Sequence, residues 1–69
     1  MSDWTDDTPG RADAGKRVTV QFADGARVSG ALVLFDYFFT GEDEIPLYNV
    51  RLDDGREISI HAADKWMFE

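Results

Sequence analysis

The chain has 69 residues, no cysteine and a formal net charge of −7. This length allows one domain, and the lack of cysteine excludes disulfides and thiolate-bound metals as supports for a small core, so we expect oligomerisation to add stability. Because no apolar run approaches the roughly 18 residues that cross a membrane, and because the acidic start lacks the features of a signal peptide, we expect a cytoplasmic protein without membrane contact.

Residues 1–14 have the composition of an acidic tail. They contain four Asp and the pair Pro9-Gly10, which interrupts regular structure. Trp4 is the aromatic side chain in this stretch that could dock on the rest of the protein. We therefore expect a disordered or loosely docked tail, followed by a folded domain over residues 15–69.

A first strand is predicted after Lys16. Val18, Val20 and Phe22 alternate with polar or small residues, which is typical of a half-buried strand. Asp24-Gly25 then predicts a hairpin turn, because glycine adopts positive φ without strain.

A longer second strand follows over residues 26–35. It is apolar on both faces toward its end, and Gly30 lies in its middle. Glycine inside a strand is typical of a bulge or a sharp bend. We therefore expect this strand to curve at Gly30 and to serve two halves of a closed sheet.

The rest of the chain predicts three further strands. Residues 36–46, DYFFTGEDEIP, are expected to form the longest loop of the domain, and strand three follows over 47–52. Asp54-Gly55 predicts a second hairpin turn before strand four at 56–60. The short stretch HAAD suits a 3₁₀ turn, and strand five closes the chain at 65–69.

These elements predict an all-β fold. Five short strands, two Asp-Gly hairpins and a 3₁₀ turn before the last strand are typical of a small SH3-like or Sm-like barrel. Closing the sheet would remove most of its exposed edges.

The segment VTVQFADGARVSGALVLFDYF resembles the first signature of Sm-like proteins, which are five-stranded barrels that form rings and bind uridine-rich RNA. The matching positions are Val18, Val20, Phe22, Asp24, Gly25, Val28, Gly30, Leu32, Phe35 and Asp36. The resemblance implies that Asp36 precedes a base-stacking side chain, Phe38. It departs at Thr40, where the family has a base-reading Asn, and at residues 60–64, where only the Ile of a second signature is present.

The second half, IPLYNVRLDDGREISIHAADKW, resembles a family of small SH3-like domains of unknown function known mainly from actinobacteria. The matching positions are Pro46, Tyr48, Val50, Arg51, Asp54, Gly55 and Asp64. Both resemblances imply a fold more than a function, because turn glycines and alternating core residues recur in many small barrels.

The charged residues are mostly Asp and Arg. There are ten Asp against four Glu, and five Arg against two Lys, a balance that resembles the proteins of salt-loving archaea. An ordinary acidic surface is the alternative. The negative charge disfavours nucleic-acid binding, which uses clustered Lys and Arg. The charge excludes less in a salt-loving organism, in which even nucleic-acid binders can be acidic overall.

If the composition is an adaptation to salt, the midpoint of thermal unfolding should rise between dilute buffer and molar KCl. The physical reason is that a Debye length of about 3 Å at molar salt screens the repulsion among carboxylates. A midpoint that does not change between the two conditions would instead indicate an ordinary acidic surface.

The sequence offers no catalytic or metal-binding motif. His61 is the only histidine, so it has no partner for a metal cluster or a nucleophile–base pair. The acids Glu42, Asp43 and Glu44 lack the alternating ligand spacing of a calcium loop. We therefore expect neither an enzyme nor a cofactor.

The cluster Tyr37, Phe38 and Phe39 is the most informative functional feature. Three consecutive aromatic side chains cannot all point into one core, so we expect at least one to be exposed or covered by the loop that follows. We predict a non-catalytic module that binds a protein partner or itself through this cluster. The alternative is an Sm-like RNA-binding protein, in which Asp36, Phe38, Arg51 and Arg56 would contact RNA.

Overall fold

A computed structural model describes residues 4–69, which form one antiparallel sheet. The strands are β1 (Arg17–Gln21), β2 (Arg27–Thr40), β3 (Asp43–Leu52), β4 (Glu57–Ser59) and β5 (Lys65–Phe68). Two 3₁₀ turns, η1 (Arg11–Asp13) and η2 (Ile60–Ala62), precede β1 and β5. The all-β prediction is confirmed, as is the 3₁₀ turn before the last strand.

The sheet is open, so the prediction of a closed barrel is wrong. Its strand order is β4-β3-β2-β1-β5, and the two edge strands do not pair with each other within residues 4–69. The edge strand β4 has only three residues, and all three pair with β3. The 3₁₀ turn η2 connects the two edges and buries Ile60 between them.

Both predicted Asp-Gly turns connect neighbouring strands. Phe22 N–H donates to the Ala26 carbonyl at 2.8 Å, and Gly25 within this loop has a φ of 89°. The second loop repeats the geometry, with Leu52 N–H donating to the Arg56 carbonyl at 2.7 Å. Each loop thus has three residues and ends on a left-handed glycine, which is one of the common ways to close a hairpin.

The core lies on one face of the sheet, where every second residue of the strands is buried. Its members, all no more than 4% exposed, are Val18, Val20, Leu32, Tyr48, Val50, Leu52, Ile60 and Trp66. The predicted inward alternation of β1 and β3 is therefore confirmed. Phe68 departs from it, because its side chain is 44% exposed at the end of β5.

Gly30 is needed for a close backbone approach, and β2 has no bulge at this position. A curve of the strand at Gly30 stays a prediction. Gly30 pairs in regular register with Val18 on one side and Leu52 on the other. A Cβ built on Gly30 would lie 2.6 Å from the Arg51 carbonyl oxygen. The irregularity of β2 lies further along, at Phe35, where the register with β3 shifts by one residue.

The predicted loop over residues 36–46 is wrong, because this stretch extends the β2–β3 hairpin. Beyond the bulge, five residue pairs continue from Asp36–Leu47 to Thr40–Asp43. Gly41, with a φ of 69°, turns the chain at the tip. We call residues 36–47 the hairpin arm, and at about 3.3 Å per residue its five pairs extend roughly 16 Å.

The described part of the predicted tail packs against the sheet. Thr5 exchanges two backbone hydrogen bonds of 2.8 Å with Trp66, and the Trp66 indole Nε1 donates to the Asp7 carbonyl. Pro9 is buried, and the Tyr48 hydroxyl donates to the Gly10 carbonyl at 2.7 Å. Residues 4–14 therefore cover the core instead of extending into solvent, as the docked alternative expects.

Candidate functional site

The hairpin arm has two faces that differ in their surroundings. Strand alternation places Tyr37 and Phe39 on the same face as the core residue Tyr48, and places Phe38 and its pairing partner Ile45 on the opposite face. The predicted aromatic cluster is therefore divided between the two faces. We call the first of these the inner face and the second the outer face.

The N-terminal segment covers part of the inner face. The Arg11 guanidinium lies 5.8 Å from the centre of the Tyr37 ring and forms an ion pair with Glu44. The Tyr48 hydroxyl donates a hydrogen bond to the carbonyl of the preceding residue, Gly10. Burial raises the pKa of this hydroxyl above its usual value of 10.0. Tyr37 is half-buried as a result, and it is not a free contact residue.

The outer face of the arm is apolar and open. Phe38 is 56% exposed, and Ile45 and Leu47 are half-buried beside it on the same face. Val33, half-buried on the same face of β2, lies about 13 Å away, just before the arm begins. Aromatic and branched aliphatic side chains that share one side of a rigid hairpin form a surface of the kind that binds proteins. We call these four residues the outer apolar face.

Two further phenylalanines are exposed close to this surface. Phe39 is 69% exposed near the tip of the arm, and Phe35 is 56% exposed at the bulge where the arm begins. Three of the four large hydrophobic side chains that are exposed in the described chain therefore lie on β2. The sequence pattern singled out Phe38 and Phe39 but not Phe35.

Both edges of the arm are protected against pairing with another strand. The Leu52 N–H points toward β4, and the backbone N–H groups of every second residue of a strand point to the same side. The backbone nitrogen of residue 46 therefore lies on the edge of β3 that faces away from β2. Because this residue is proline, it has no N–H to donate to another strand. On β2, Tyr37 pairs with Pro46, and its outward N–H donates to the Asp36 carboxylate at 2.8 Å. The arm is thus suited to contacts through its faces and unsuited to strand addition.

The residues of the predicted RNA site do not come together. Arg51 forms an ion pair with Glu57 and Arg56 one with Asp54, so neither guanidinium is unpaired. Arg51 is six residues along β3 from Ile45, the partner of Phe38, which is a separation of about 20 Å. Asp36 and Phe38 share the outer face of the arm, but the two arginines lie toward the other end of the sheet.

The other strand arginines also have partners. Arg17 and Arg51 flank Ala31 on one face of the sheet, but each of them is paired with a carboxylate. Arg17 donates twice to Asp53, and these hydrogen bonds hold the pKa of the carboxyl below its usual value of 3.8. Arg27 bonds to Gln21 and lies 5.1 Å from the Trp4 ring. The arrangement gives RNA phosphates little unpaired positive charge to contact.

No protein-family model, curated protein or solved structure matches this chain. The Sm-like and SH3-like resemblances therefore depend on the residues quoted above.

Residues 4–69 contain few features that would suit catalysis. No three His, Cys, Asp or Glu side chains of this range are grouped so that they could hold a metal ion. A groove of about 310 Å³ runs between the N-terminal segment and β5, lined by Trp4, Thr5, Asp6, Asp64 and Lys65.

No helix in the described range is long and apolar enough to cross a membrane.

The aliphatic half of the outer apolar face was not predicted from the sequence. Ile45 and Leu47 lie on either side of Pro46, and their alternation was hidden because proline and the preceding acids suggested a loop. A detectable signal was the pair Gly41-Glu42, which separates two stretches rich in aromatic and branched residues, 37–40 and 45–50. A glycine-containing turn between two stretches of strand-forming residues is typical of a hairpin.

Proposed function

We propose that this protein is a non-catalytic, SH3-like binding module that contacts a protein partner or a second copy of itself through the outer apolar face. The proposal assigns no catalytic residue and no cofactor. The SH3-like relationship is supported by the strand number, the two Asp-Gly hairpins and the 3₁₀ turn before the last strand.

The exposure of Phe38 is the observation that carries the proposal. A phenylalanine that is 56% exposed, with Ile45 as its cross-strand neighbour, leaves apolar surface in water that a partner would bury. Burying a large apolar side chain contributes about 1.5–3 kcal/mol. Because each edge of the arm lacks one free outward N–H, at Tyr37 and at Pro46, the face of the arm is better suited to binding than its edges are.

The alternative, an Sm-like RNA-binding protein, has weaker support. Phe38 is exposed enough to stack on a base, but the nearest charges along the chain are negative. Stacking platforms for single strands lie in positively charged grooves. Titration with oligo-uridine at low and high salt tests this alternative directly, and saturable binding in either condition would revive it.

Replacing Phe38 with Ser should weaken association without unfolding the protein. The test compares wild type, Phe38→Ser and the control Phe68→Ser, which alters another partly exposed phenylalanine on β5, outside the arm. Sedimentation equilibrium in dilute and molar KCl measures self-association. Quantitative recovery from the extract of the source cells measures partner binding.

We expect Phe38→Ser to lose at least about tenfold in association, in line with an interface hot spot, and Phe68→Ser to lose little. Thermal melts establish that both variants are folded. If both variants associate as wild type does, the outer apolar face is not an interface and the proposal is wrong. If Phe38→Ser unfolds the protein, the side chain belongs to the core and the proposal also fails.

A further inference from the structure

We infer that the partner of the hairpin arm is a protein segment in which Lys or Arg residues flank an apolar side chain. This inference rests on the proposed function and specifies the chemistry of the partner. It is drawn from the carboxylates around the outer apolar face and from the state of the cations elsewhere in the chain.

Carboxylates stand at both ends of the apolar pair Phe38–Ile45. Asp36 is two residues before Phe38 on β2, and Asp43 is two residues before Ile45 on β3. Alternation places both acids on the outer face, together with the apolar pair. The sequence of surface chemistry along the arm is therefore acidic, apolar, acidic.

The spacing of these carboxylates suits an extended polypeptide. Asp36 pairs with Leu47, which is four residues along β3 from Asp43, so the two acids are separated by about 13 Å along the strand direction. In an extended chain, side chains at positions i and i+4 are also separated by about 13 Å, with i+2 on the same side. A pattern of Lys-x-Leu-x-Lys would place its cations on Asp36 and Asp43 and its Leu on Phe38.

Three of the arm carboxylates form no ion pair with a cation of residues 4–69. Among residues 4–69, Asp36, Glu42 and Asp43 make none of the ion pairs, whereas Glu44 is paired with Arg11 on the inner face. Asp36 uses one carboxylate oxygen for the Tyr37 N–H, which fixes its orientation and leaves the other oxygen available. Unpaired charge of one sign beside an apolar anchor favours a partner of opposite sign.

A second copy of this chain is a poor fit to the arm. Five of its seven Lys and Arg residues are already paired with carboxylates. The remaining two, Arg27 and Lys65, both lie over the Trp4 ring. Each copy also carries a net charge of −7, so two arms brought face to face would repel each other.

The inference is tested with labelled peptides of defined charge. The first peptide repeats Lys-Ser-Leu-Ser, the second replaces each Lys with Glu, and the third replaces each Leu with Ser. Fluorescence anisotropy measures the affinity of the wild-type protein for each of them, at about 0.15 M KCl, where the Debye length is about 8 Å.

Two variants with the same net charge separate a site from a general attraction. Asp36→Asn, Glu42→Gln and Asp43→Asn together remove three charges from the arm. The matched control combines Asp6→Asn, Asp7→Asn and Asp64→Asn, which removes three charges that form no ion pair within residues 4–69. Because the two variants have equal net charge, an effect that differs between them must come from position.

We expect the wild-type protein to bind the Lys-Ser-Leu-Ser peptide more tightly than the other two peptides. The affinity for this peptide should fall about tenfold in the arm variant and in Phe38→Ser, whereas the matched control should bind it as wild type does. Equal losses in the arm variant and the matched control would overturn the inference, as would equal binding of the peptide without Leu. If the peptides do not bind but association still depends on Phe38, the charge of the partner is wrong and the proposed function stands. If Phe38→Ser changes neither measurement, both fail.

Discussion

Replacing Gly30 with Ala should destabilise the protein by about 3 kcal/mol, which is the upper part of the range for overpacking a tight site. The added Cβ would meet the Arg51 carbonyl oxygen at 2.6 Å and a Val50 methyl carbon at 2.7 Å. Neither can move away cheaply, because one is backbone in the central ladder and the other belongs to a fully buried side chain. For a chain of this length, total stability is about 3–10 kcal/mol, so the variant should lose about a third or more of its stability and melt at a clearly lower temperature.

Thermal and urea denaturation monitored by circular dichroism measure this effect, and Gly10→Ala is the matched control. Gly10 has an ordinary φ of −79°, and its added Cβ would lie 3.4 Å from an Asp13 carboxylate oxygen, which is a normal contact. The control should therefore be neutral or slightly stabilising, since alanine lowers the entropy of the unfolded chain. A wild-type melting curve for Gly30→Ala would show that β2 and β3 do not approach as closely as described.

Deleting residues 1–14 should cost about 3 kcal/mol or more. The deletion removes the two backbone bonds between Thr5 and Trp66, together with the carbonyl partners of the Tyr48 hydroxyl and the Trp66 indole. Each such bond contributes about 1 kcal/mol net, and the deletion also uncovers two large aromatic side chains of the core. The midpoint of thermal unfolding should fall by more than about 12 °C, at about 4–8 °C per kcal/mol for a domain of this size.

Point variants locate the effect of that deletion. Tyr48→Phe removes only the hydroxyl that donates to Gly10 and should cost about 1 kcal/mol. Tyr37→Phe is the matched control, because Tyr37 contacts Arg11 through its ring, which the substitution keeps. If the truncated protein melts as the full chain does, residues 1–14 form a tail, as their composition suggests.

The parts of the fold that could be predicted are those in which local chemistry and burial agree. The Asp-Gly pairs at 24–25 and 54–55 mark both three-residue loops, because glycine there has positive φ. The alternation of Val18 with Val20, and of Val50 with Leu52, identifies the core face of β1 and β3 because these residues are fully or almost fully buried. Such signals depend on neighbours in sequence, so one sequence is enough to read them.

The hairpin arm could not be predicted in the same way. Its strands contain three adjacent aromatics, Pro46 and several acids, and these are compatible with a loop when only local preference is considered. Strand pairing beyond the bulge at Phe35 depends on register set by the rest of the sheet. The position of the arginines relative to Phe38 was equally inaccessible, because it requires the strand order.

Docking of the N-terminal segment was one of the two expected outcomes, but its contacts could not be predicted because they use backbone carbonyls. Tyr48 and Trp66 lie at core positions of their strands, but the Tyr48 hydroxyl and the Trp66 indole N–H each need a hydrogen-bond acceptor. The Gly10 carbonyl accepts from the hydroxyl, and the Asp7 carbonyl accepts from the indole. A carbonyl is present at every residue, so composition carries no signal for such a contact. An acidic stretch can therefore cover a core without any hydrophobic pattern of its own.

The pairing of Thr5 with Trp66 also affects how the protein is made. Asp7 is 59 positions before Trp66, whose indole donates to the Asp7 carbonyl. Strand β1 also pairs with the late strand β5, with Val18 opposite Phe68. During synthesis on a ribosome, the N-terminal segment emerges long before its partner strand exists. The three hairpins of β1 to β4 can assemble from nearby residues. However, β5 and the N-terminal segment can join the sheet only after Trp66 has been added, so the final step of folding should follow translation of this region.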